Sequence, residues 1–111
     1  MTGQPDKFDN KKVCVITGTS SGLGRHTTRW LLENGGWHVI CAVRDVDKMA
    51  AIAEMDDLDP KSFTIMECDL LSFDSVKSFT KNLLEYVGDA PIDRFVKYIF
   101  NATTMILVLI C

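Results

Sequence analysis

Residues Thr17–Gly24, with the sequence TGTSSGLG, place three glycines and four hydroxyl side chains directly after an apolar run. Glycines let a backbone approach a phosphate closely, and the N-terminus of a following helix offers free N–H groups and a partial positive charge. Serine hydroxyls in such a turn can donate hydrogen bonds to a phosphate or a ribose. The pattern predicts a turn that binds the diphosphate of a dinucleotide, and the alternative is a tight turn that binds nothing. The predicted contacts are Thr17, Gly18, Ser20, Ser21, Gly22, Leu23 and Gly24.

A second candidate lies where the second apolar run, Trp37–Val43, ends. A site for NAD usually places an acidic side chain at this point to hold the ribose hydroxyls, whereas NADP calls for a basic one. Arg44 stands there, and Asp45 after it is a suitable N-cap for the next helix. Arg25, next to the last glycine of the turn, can add positive charge near the same phosphate. Arg44 therefore predicts NADPH as the cofactor, and the alternative is a solvated loop arginine.

A third candidate is the pair Asp69–Leu70, which follows the third apolar run. A carboxylate at this point can accept a hydrogen bond from the amino group of an adenine ring. The alternative is that Asp69 caps the helix that follows.

Apolar runs alternate with helical patterns along the chain. Strands are predicted at 12–18, 37–43, 62–70 and 91–102, and helices at 23–34, 46–55 and about 72–88. The strand patterns are continuous runs rather than alternations, as expected for strands buried on both faces of a parallel sheet. This order predicts an α/β fold, a Rossmann-like doubly wound parallel sheet that is incomplete, with about four strands and three helices.

The helical periodicity also predicts which faces are buried. In the first helix, the residues at helical spacing on one face are Leu23, Thr27, Trp30 and Leu31. In the third helix, which Ser72 or Asp74 caps, they are Val76, Phe79, Leu83 and Val87. We expect both faces to pack against the sheet.

Composition excludes several classes of function. A formal net charge of -3 over 111 residues gives no electrostatic surface for nucleic acid. The longest apolar run, at the C-terminus, is much shorter than the roughly 20 residues of a transmembrane helix, so we expect no transmembrane segment. The four cysteines show no metal-ligand spacing, so we expect no metal site. Cys14, Cys41 and Cys68 each fall inside an apolar run and are predicted to be buried thiols. The polar N-terminus lacks the pattern of a signal or transit peptide, so the chain as given is expected to be cytosolic or without its targeting segment.

Three motifs carry a resemblance to a known family: the T-G-x-x-x-G-x-G turn at 17–24, the acidic Asp69 after strand three, and Asn101–Ala102 near strand four. Together they resemble the short-chain dehydrogenase/reductase superfamily. Within it, TGTSSGLG, WHVICAVRD with a following lysine, and DLLSFDSVKSF resemble the light-dependent protochlorophyllide reductases of plastids and cyanobacteria. Retinol-dehydrogenase-like members share the turn and the arginine, but the strand Trp37–Ile40 is closer to the plastid enzymes. The resemblance covers roughly Val13–Arg94.

The resemblance implies NADPH bound at Gly18–Gly24, Arg44 and Asp69, hydride transfer to a double bond of protochlorophyllide, and a plastid location. The family's proton donor is the tyrosine of a Y-x-x-x-K motif. Alanine follows four residues after both Tyr86 and Tyr98, so this chain has no such pair and is expected to be inactive alone. Its domain assignment is then a single NADP-binding domain, 1–111, corresponding to the N-terminal half of the family fold.

The resemblance weakens after Arg94, and residues 95–111 form an atypical tail. Lys97 stands inside what is predicted to be a buried strand, where an unpaired ammonium is costly. Asn101 follows Asp93 at a longer spacing than in the family, so as a catalytic candidate it is either a true match with an insertion or chance. The apolar segment 105–111 resembles no part of the family, and such segments pair at exposed sheet edges, which predicts self-association.

Three functions therefore remain open. The first is the NADPH-binding part of a protochlorophyllide reductase. The second is a truncated short-chain reductase that acts on an alcohol or a ketone. The third is a non-catalytic fragment that binds a nucleotide.

Overall fold

Continuous apolar runs form the central strands, as the sequence predicts. The computed structural model describes residues 7–100 and 105–110, with side chains through Lys97. In chain order the elements are β1 (Lys12–Thr17), α1 (Gly22–Asn34), β2 (Trp37–Val43), α2 (Val46–Met55), β3 (Phe63–Glu67), α3 (Phe73–Val87), β4 (Arg94–Phe100) and β5 (Met105–Ile110). The predicted fold class is confirmed. Four parallel strands form a sheet and three helices pack on it, in a Rossmann-like arrangement.

The strand order is β3-β2-β1-β4-β5, so β1 lies between β2 and β4. Because chain order reverses at β1, the crevice beyond the carboxyl ends of the strands is at this point, where ligands bind in open α/β sheets. Asp93 fixes β4 against β1: its carboxylate accepts a hydrogen bond from the Val13 N–H at 2.8 Å, and its own N–H donates to the Val13 carbonyl at 2.8 Å.

Helices cover both faces of the sheet. On one face, the apolar residues of α3 pack against Val13 and Val15 of β1 and their neighbours. On the other face, α1 and α2 pack against a second cluster that includes Ile16 of β1 and Val96 of β4. Successive strand residues point to opposite faces, so β1, β2, β3 and β4 each contribute to both cores. This three-layer arrangement buries β1 from Val13 to Thr17 and fixes the turn that follows it.

The buried face of α3 agrees with the sequence prediction, since Phe79, Leu83 and Val87 are buried and Val76 packs beside them. Its N-cap is Ser72, whose side chain accepts a hydrogen bond from the Ser75 N–H.

The predicted face of α1 is wrong in two of its four residues. Leu23 and Trp30 are exposed, at 44% and 56%, whereas Leu31 is buried as expected. The face that meets the sheet consists of Gly24, Thr28 and Leu31. The physical reason is the close approach of α1 to the turn, which admits only small residues on the contacting side of its first two turns.

The end of the chain differs from the predicted organisation. β5 pairs antiparallel with β4, from Phe95 opposite Ile110 to Phe100 opposite Met105, so most of the apolar tail is an edge strand of the chain's own sheet. Self-association through this segment stays a prediction. Lys97 lies within the sheet as expected, on β4 and opposite Val108 of β5, but it is half-buried and lines a cavity. Asn101 lies outside the described residues.

A polar chain crosses the opposite end of the sheet, near the amino ends of β2 and β3. The His38 Nε2 atom lies 2.8 Å from the Thr64 hydroxyl, which lies 2.8 Å from the Tyr86 hydroxyl. The Phe8 ring packs at a tilt of 49° against the His38 ring, with centroids 4.7 Å apart. His38 is 6% exposed, and burial together with the nearby Lys11 lowers its pKa. Tyr86 is therefore a structural residue far from the carboxyl ends of the strands.

Candidate functional site

A cavity of about 530 Å³ opens at the carboxyl ends of the parallel strands, which is within the usual size range of ligand sites. It is lined by Thr17, Gly18, Ser20, Ala42, Val43, Arg44, Asp45, Lys48, Cys68, Asp69, Leu70, Leu71 and Lys97. The three segments that the sequence singles out, after β1, β2 and β3, therefore meet in one place.

The glycines after β1 shape the turn at the cavity wall. Gly18 and Gly22 have φ values of 64° and 57°, in the left-handed region that favours glycine. Gly24 is required for a different reason: a Cβ atom there would lie 2.2 Å from the Gly18 carbonyl oxygen. The turn thus folds back onto the start of α1, and the backbone can approach a ligand without side chains in the way.

Buried threonines hold this turn in place. Thr19 is fully buried, and its hydroxyl lies 3.2 Å from the Met49 sulfur of α2. Thr28 donates a hydrogen bond to the Gly24 carbonyl at 2.8 Å. The sequence prediction did not single out Thr19, although threonine is a residue type that suits a buried anchor in a turn.

The predicted turn residues divide into two groups. Thr17, Gly18 and Ser20 line the cavity, whereas Ser21, Gly22, Leu23 and Gly24 do not. Ser21 is the N-cap residue of α1, and its hydroxyl makes no capping hydrogen bond. Gly22 and Gly24 contribute through backbone shape, and Leu23 is exposed.

Arg44 stands exposed at the cavity wall immediately after β2. Its guanidinium has no hydrogen bond or ion pair with the described part of the chain. Asp45 has the role predicted for it, because its carboxylate accepts a hydrogen bond from the Lys48 N–H at 3.0 Å at the start of α2. The adjacent acid is thus occupied by the helix end, and the arginine is available to a ligand.

Asp69 lines the cavity and also shapes its own turn. Its Oδ1 accepts a hydrogen bond from the Leu71 N–H at 3.0 Å, and its N–H donates to the Ser75 hydroxyl at 2.8 Å. The N-cap of α3 is Ser72, so the alternative prediction that Asp69 caps this helix is wrong. Its Oδ2 has no hydrogen bond with the described residues and can accept one from a ligand.

Arg25 does not add charge to the cavity. Its Nε and Nη2 atoms donate to the two carboxylate oxygens of Asp56 at 2.8 and 2.6 Å. This two-pronged pair ties the start of α1 to the end of α2 and holds the pKa of Asp56 below its ordinary value. The expected contribution of Arg25 to phosphate binding is therefore wrong, because the guanidinium is directed to α2.

Among the described residues, Cys14, Cys41 and Cys68 are buried thiols. Burial raises the pKa of Cys14 to about 11 and that of Cys41 to about 12. Cys68 lines the cavity, and burial raises its pKa as well. Within residues 7–100 and 105–110 no group of three or more histidine, cysteine or acidic side chains has the arrangement of a metal site.

Several lining residues escaped the sequence reading: Ala42, Val43, Asp45, Lys48, Cys68, Leu71 and Lys97. Lys48 could have been predicted, because it lies in the first turn of α2, close in sequence to Arg44 and to the N-cap Asp45. Lys97 stood out only as a lysine inside a predicted strand, and its place at the cavity could not be predicted, because it depends on where β4 lies beside β1.

A glycine-shaped turn between a buried strand and a helix, with a cavity at the switch point of a parallel sheet, defines a dinucleotide-binding α/β protein. The family model for short chain dehydrogenases matches residues 12–106. The chain belongs to the short-chain dehydrogenase family. The match extends past Arg94, where the sequence resemblance weakens.

Curated relatives narrow the comparison. The chain is 46% identical over 76 residues to a chloroplastic protochlorophyllide reductase of Marchantia paleacea, covering 68% of this chain and 17% of that protein. It is 48% identical over 79 residues to chloroplastic protochlorophyllide reductase B of Hordeum vulgare, covering 71% and 20%. The chain thus spans about a fifth of the length of these relatives. The resemblance noted in the sequence is confirmed.

Solved structures agree on the fold. An alcohol dehydrogenase of Thermococcus sibiricus complexed with 5-hydroxy-NADP is similar at a TM-score of 0.58 and 31% identity, over 72% of this chain and 34% of that one. A metagenomic short-chain oxidoreductase in complex with NADP gives 0.60 and 28%, over 73% and 36%. A 3-ketoacyl-(acyl-carrier-protein) reductase of Brucella melitensis complexed with NADH gives 0.55 and 25%, over 71% and 31%. Neighbours hold either nicotinamide cofactor, so the choice depends on the side chains of each site.

Among the helices of the described residues, none is both long and apolar enough to cross a bilayer.

Proposed function

We propose that this chain is the NADPH-binding portion of a light-dependent protochlorophyllide reductase. The observation that carries the proposal is Arg44, a cation without a protein partner in the described residues, at the cavity wall directly after β2. An acidic residue at this point suits the ribose hydroxyls of NAD, and a basic one suits the 2′-phosphate of NADP. The relatives named protochlorophyllide reductase supply the subgroup.

The residues present fit this cofactor. Gly18 lines the cavity and presents backbone rather than a side chain to the diphosphate. Gly22 and Gly24 give the turn its shape, and a Cβ atom at Gly24 would clash with the Gly18 carbonyl oxygen. Ser20 supplies a hydroxyl, Arg44 holds the 2′-phosphate, and Asp69 together with Leu70 receives the adenine. When bound, NADPH supplies a hydride. The described residues bind and orient the cofactor.

We infer that catalysis requires residues that this chain does not provide. The family's tyrosine and lysine pair has no counterpart, since neither tyrosine is followed by lysine four residues later. Tyr86 is bound to Thr64 at the amino ends of the strands, far from the cavity. The pigment substrate and a plastid location come from the resemblance to the chloroplastic relatives. Asn101 remains a candidate outside the described residues.

A second candidate is the corresponding part of a reductase that acts on an alcohol or a ketone. The structural similarity to the alcohol dehydrogenase of Thermococcus sibiricus favours it, at 31% identity. The higher identity to the protochlorophyllide reductases, 46% to 48%, favours the first candidate.

Titration of the 111-residue chain with NADPH, followed by the fluorescence of the reduced nicotinamide, tests the proposal. We expect saturable binding, and no reduction of protochlorophyllide when the complex is illuminated with the pigment. A folded chain that does not bind NADPH would overturn the proposal, and turnover by the chain alone would overturn the assignment of catalysis to other residues.

A further inference from the structure

Among the described residues, three that are cationic line the cavity: Arg44, Lys48 and Lys97. Lys97 lies on β4, away from the three segments that the sequence singles out. Val96 of β4 pairs with Ile16 of β1, so Lys97 lies level with Thr17, the last residue of β1 and the one before Gly18. Val96 belongs to the core under α1 and α2, whereas Phe95 packs on the α3 side. By strand alternation Lys97 shares the side of Phe95, and it reaches the cavity wall there.

The charges around the cavity leave Lys97 without a partner. It has no hydrogen bond or ion pair with the described residues, although it is half-buried. Within the described part of the chain, two acidic residues line the cavity, Asp45 and Asp69. The carboxylate of each accepts a hydrogen bond from a backbone N–H that follows it in the chain. Lys97 lies close enough to Cys68 to oppose the rise in its pKa that burial and Asp69 cause. A half-buried ammonium in this setting favours an anionic ligand.

The position of Lys97 relative to Arg44 indicates which anion it meets. β2 and β4 flank β1 on opposite sides, so Arg44 and Lys97 approach the turn from opposite sides. Arg44 is thereby placed for one phosphate of an extended nucleotide, and Lys97 for another that lies nearer Gly18. A lysine suits this role because its ammonium is a compact charge on a flexible stem with three donors.

We propose that Lys97 binds the diphosphate of the nucleotide from the β4 side, opposite the glycine turn. The inference rests on the proposed function, since it assumes that a dinucleotide occupies the cavity. NADPH and NADH share the diphosphate, so Lys97 contributes equally to both, whereas Arg44 discriminates between them. Lys97 is a binding residue with no role in hydride transfer.

The test measures dissociation constants for NADPH, NADH and ADP in the wild type, Lys97→Met, Lys97→Arg and the matched control Lys81→Met, an exposed lysine of α3. Circular dichroism establishes that each variant is folded. We expect Lys97→Met to weaken all three ligands by about tenfold, the effect of one charged hydrogen bond. Lys97→Arg should retain most of the affinity, and Lys81→Met all of it.

Unchanged or higher affinity in folded Lys97→Met would overturn the inference, as would a loss confined to NADPH. If the wild type binds ADP but neither dinucleotide, and Lys97→Met loses ADP, the proposed function fails while the role of Lys97 stands. A wild type that binds none of the three ligands would overturn both.

Discussion

A Cβ atom on Gly24 would lie 2.2 Å from the carbonyl oxygen of Gly18, and 3.0 Å from that of Thr17. The first turn of α1 therefore packs directly on the backbone that leaves β1. Because the contact is between backbone atoms, no side chain can move aside to make room. This contact fixes the N-terminus of α1 beside the cavity.

Gly24→Ala should accordingly weaken both folding and nucleotide binding. We expect a loss of about 1–3 kcal/mol in the free energy of unfolding, as for other overpacked sites, and weaker NADPH binding. Gly22→Asn is the matched control, because a Cβ atom there meets nothing within 4 Å and asparagine tolerates the φ of 57°. Chemical denaturation and NADPH titration of both variants provide the measurement. Equal effects of the two substitutions would contradict the packing argument.

Removal of the Arg25–Asp56 pair should change stability without changing nucleotide binding. Arg25→Met is expected to lower the melting temperature and to leave the dissociation constant for NADPH unaltered, because Arg25 faces α2. The folded-state pKa of Asp56 is depressed, so the pair stabilises the fold above pH 3.8 and loses its effect as pH falls through and below that value. The stability difference between wild type and variant should therefore shrink in acid. A variant with weakened NADPH binding and unchanged stability would show that Arg25 contacts the cofactor.

Stability should also depend on pH through His38. Burial and Lys11 lower its folded-state pKa, so the unfolded chain binds more protons. The stability that depends on neutral His38 is complete above the unfolded value of about 6.5 and falls as pH decreases below it. Urea denaturation from pH 7.5 to 5 should reveal this slope, and His38→Gln should reduce it. His26→Gln, at an exposed position of α1, is the control and should retain the slope; the reverse pattern would refute the assignment to His38.

The buried thiols should be inert in the folded chain. The pKa values of about 11 and 12 at Cys14 and Cys41 leave almost no thiolate at pH 8, and burial blocks access. Maleimide labelling followed by peptide mass spectrometry should modify both only after denaturant is added. Labelling of Cys41 in native buffer at the rate seen in denaturant would contradict the buried position of β2.

The local elements were predictable because their signals are local. The apolar runs predicted as strands correspond to β1 and β2, and Asp45 caps α2 as predicted. The face of α1 was not predictable from periodicity, because hydrophobic spacing favours Leu23 and Trp30. The close approach at Gly24 instead turns Thr28 and Leu31 toward the sheet.

Part of the site was predictable, because some of its residues also have local signals in the sequence. Residues that follow β1, β2 and β3 have recognisable positions, and those nearest the strand ends line one cavity. Lys97 could not be found in this way, because its position depends on the long-range register between β4 and β1. The pairing of β5 with β4 is equally non-local, since an apolar segment does not indicate its partner strand.

The central claim is that Arg44 makes this cavity a site for NADPH. The most direct test measures the dissociation constants of NADPH and NADH for the wild type, for Arg44→Glu, and for the remote charge reversal Lys81→Glu. We predict that Arg44→Glu weakens NADPH by about tenfold or more, the effect of losing a charged hydrogen bond, and that Lys81→Glu changes neither affinity. Arg44→Glu should retain or strengthen NADH binding, because an acidic residue at this point suits the ribose hydroxyls. Undiminished NADPH affinity in folded Arg44→Glu would contradict the claim.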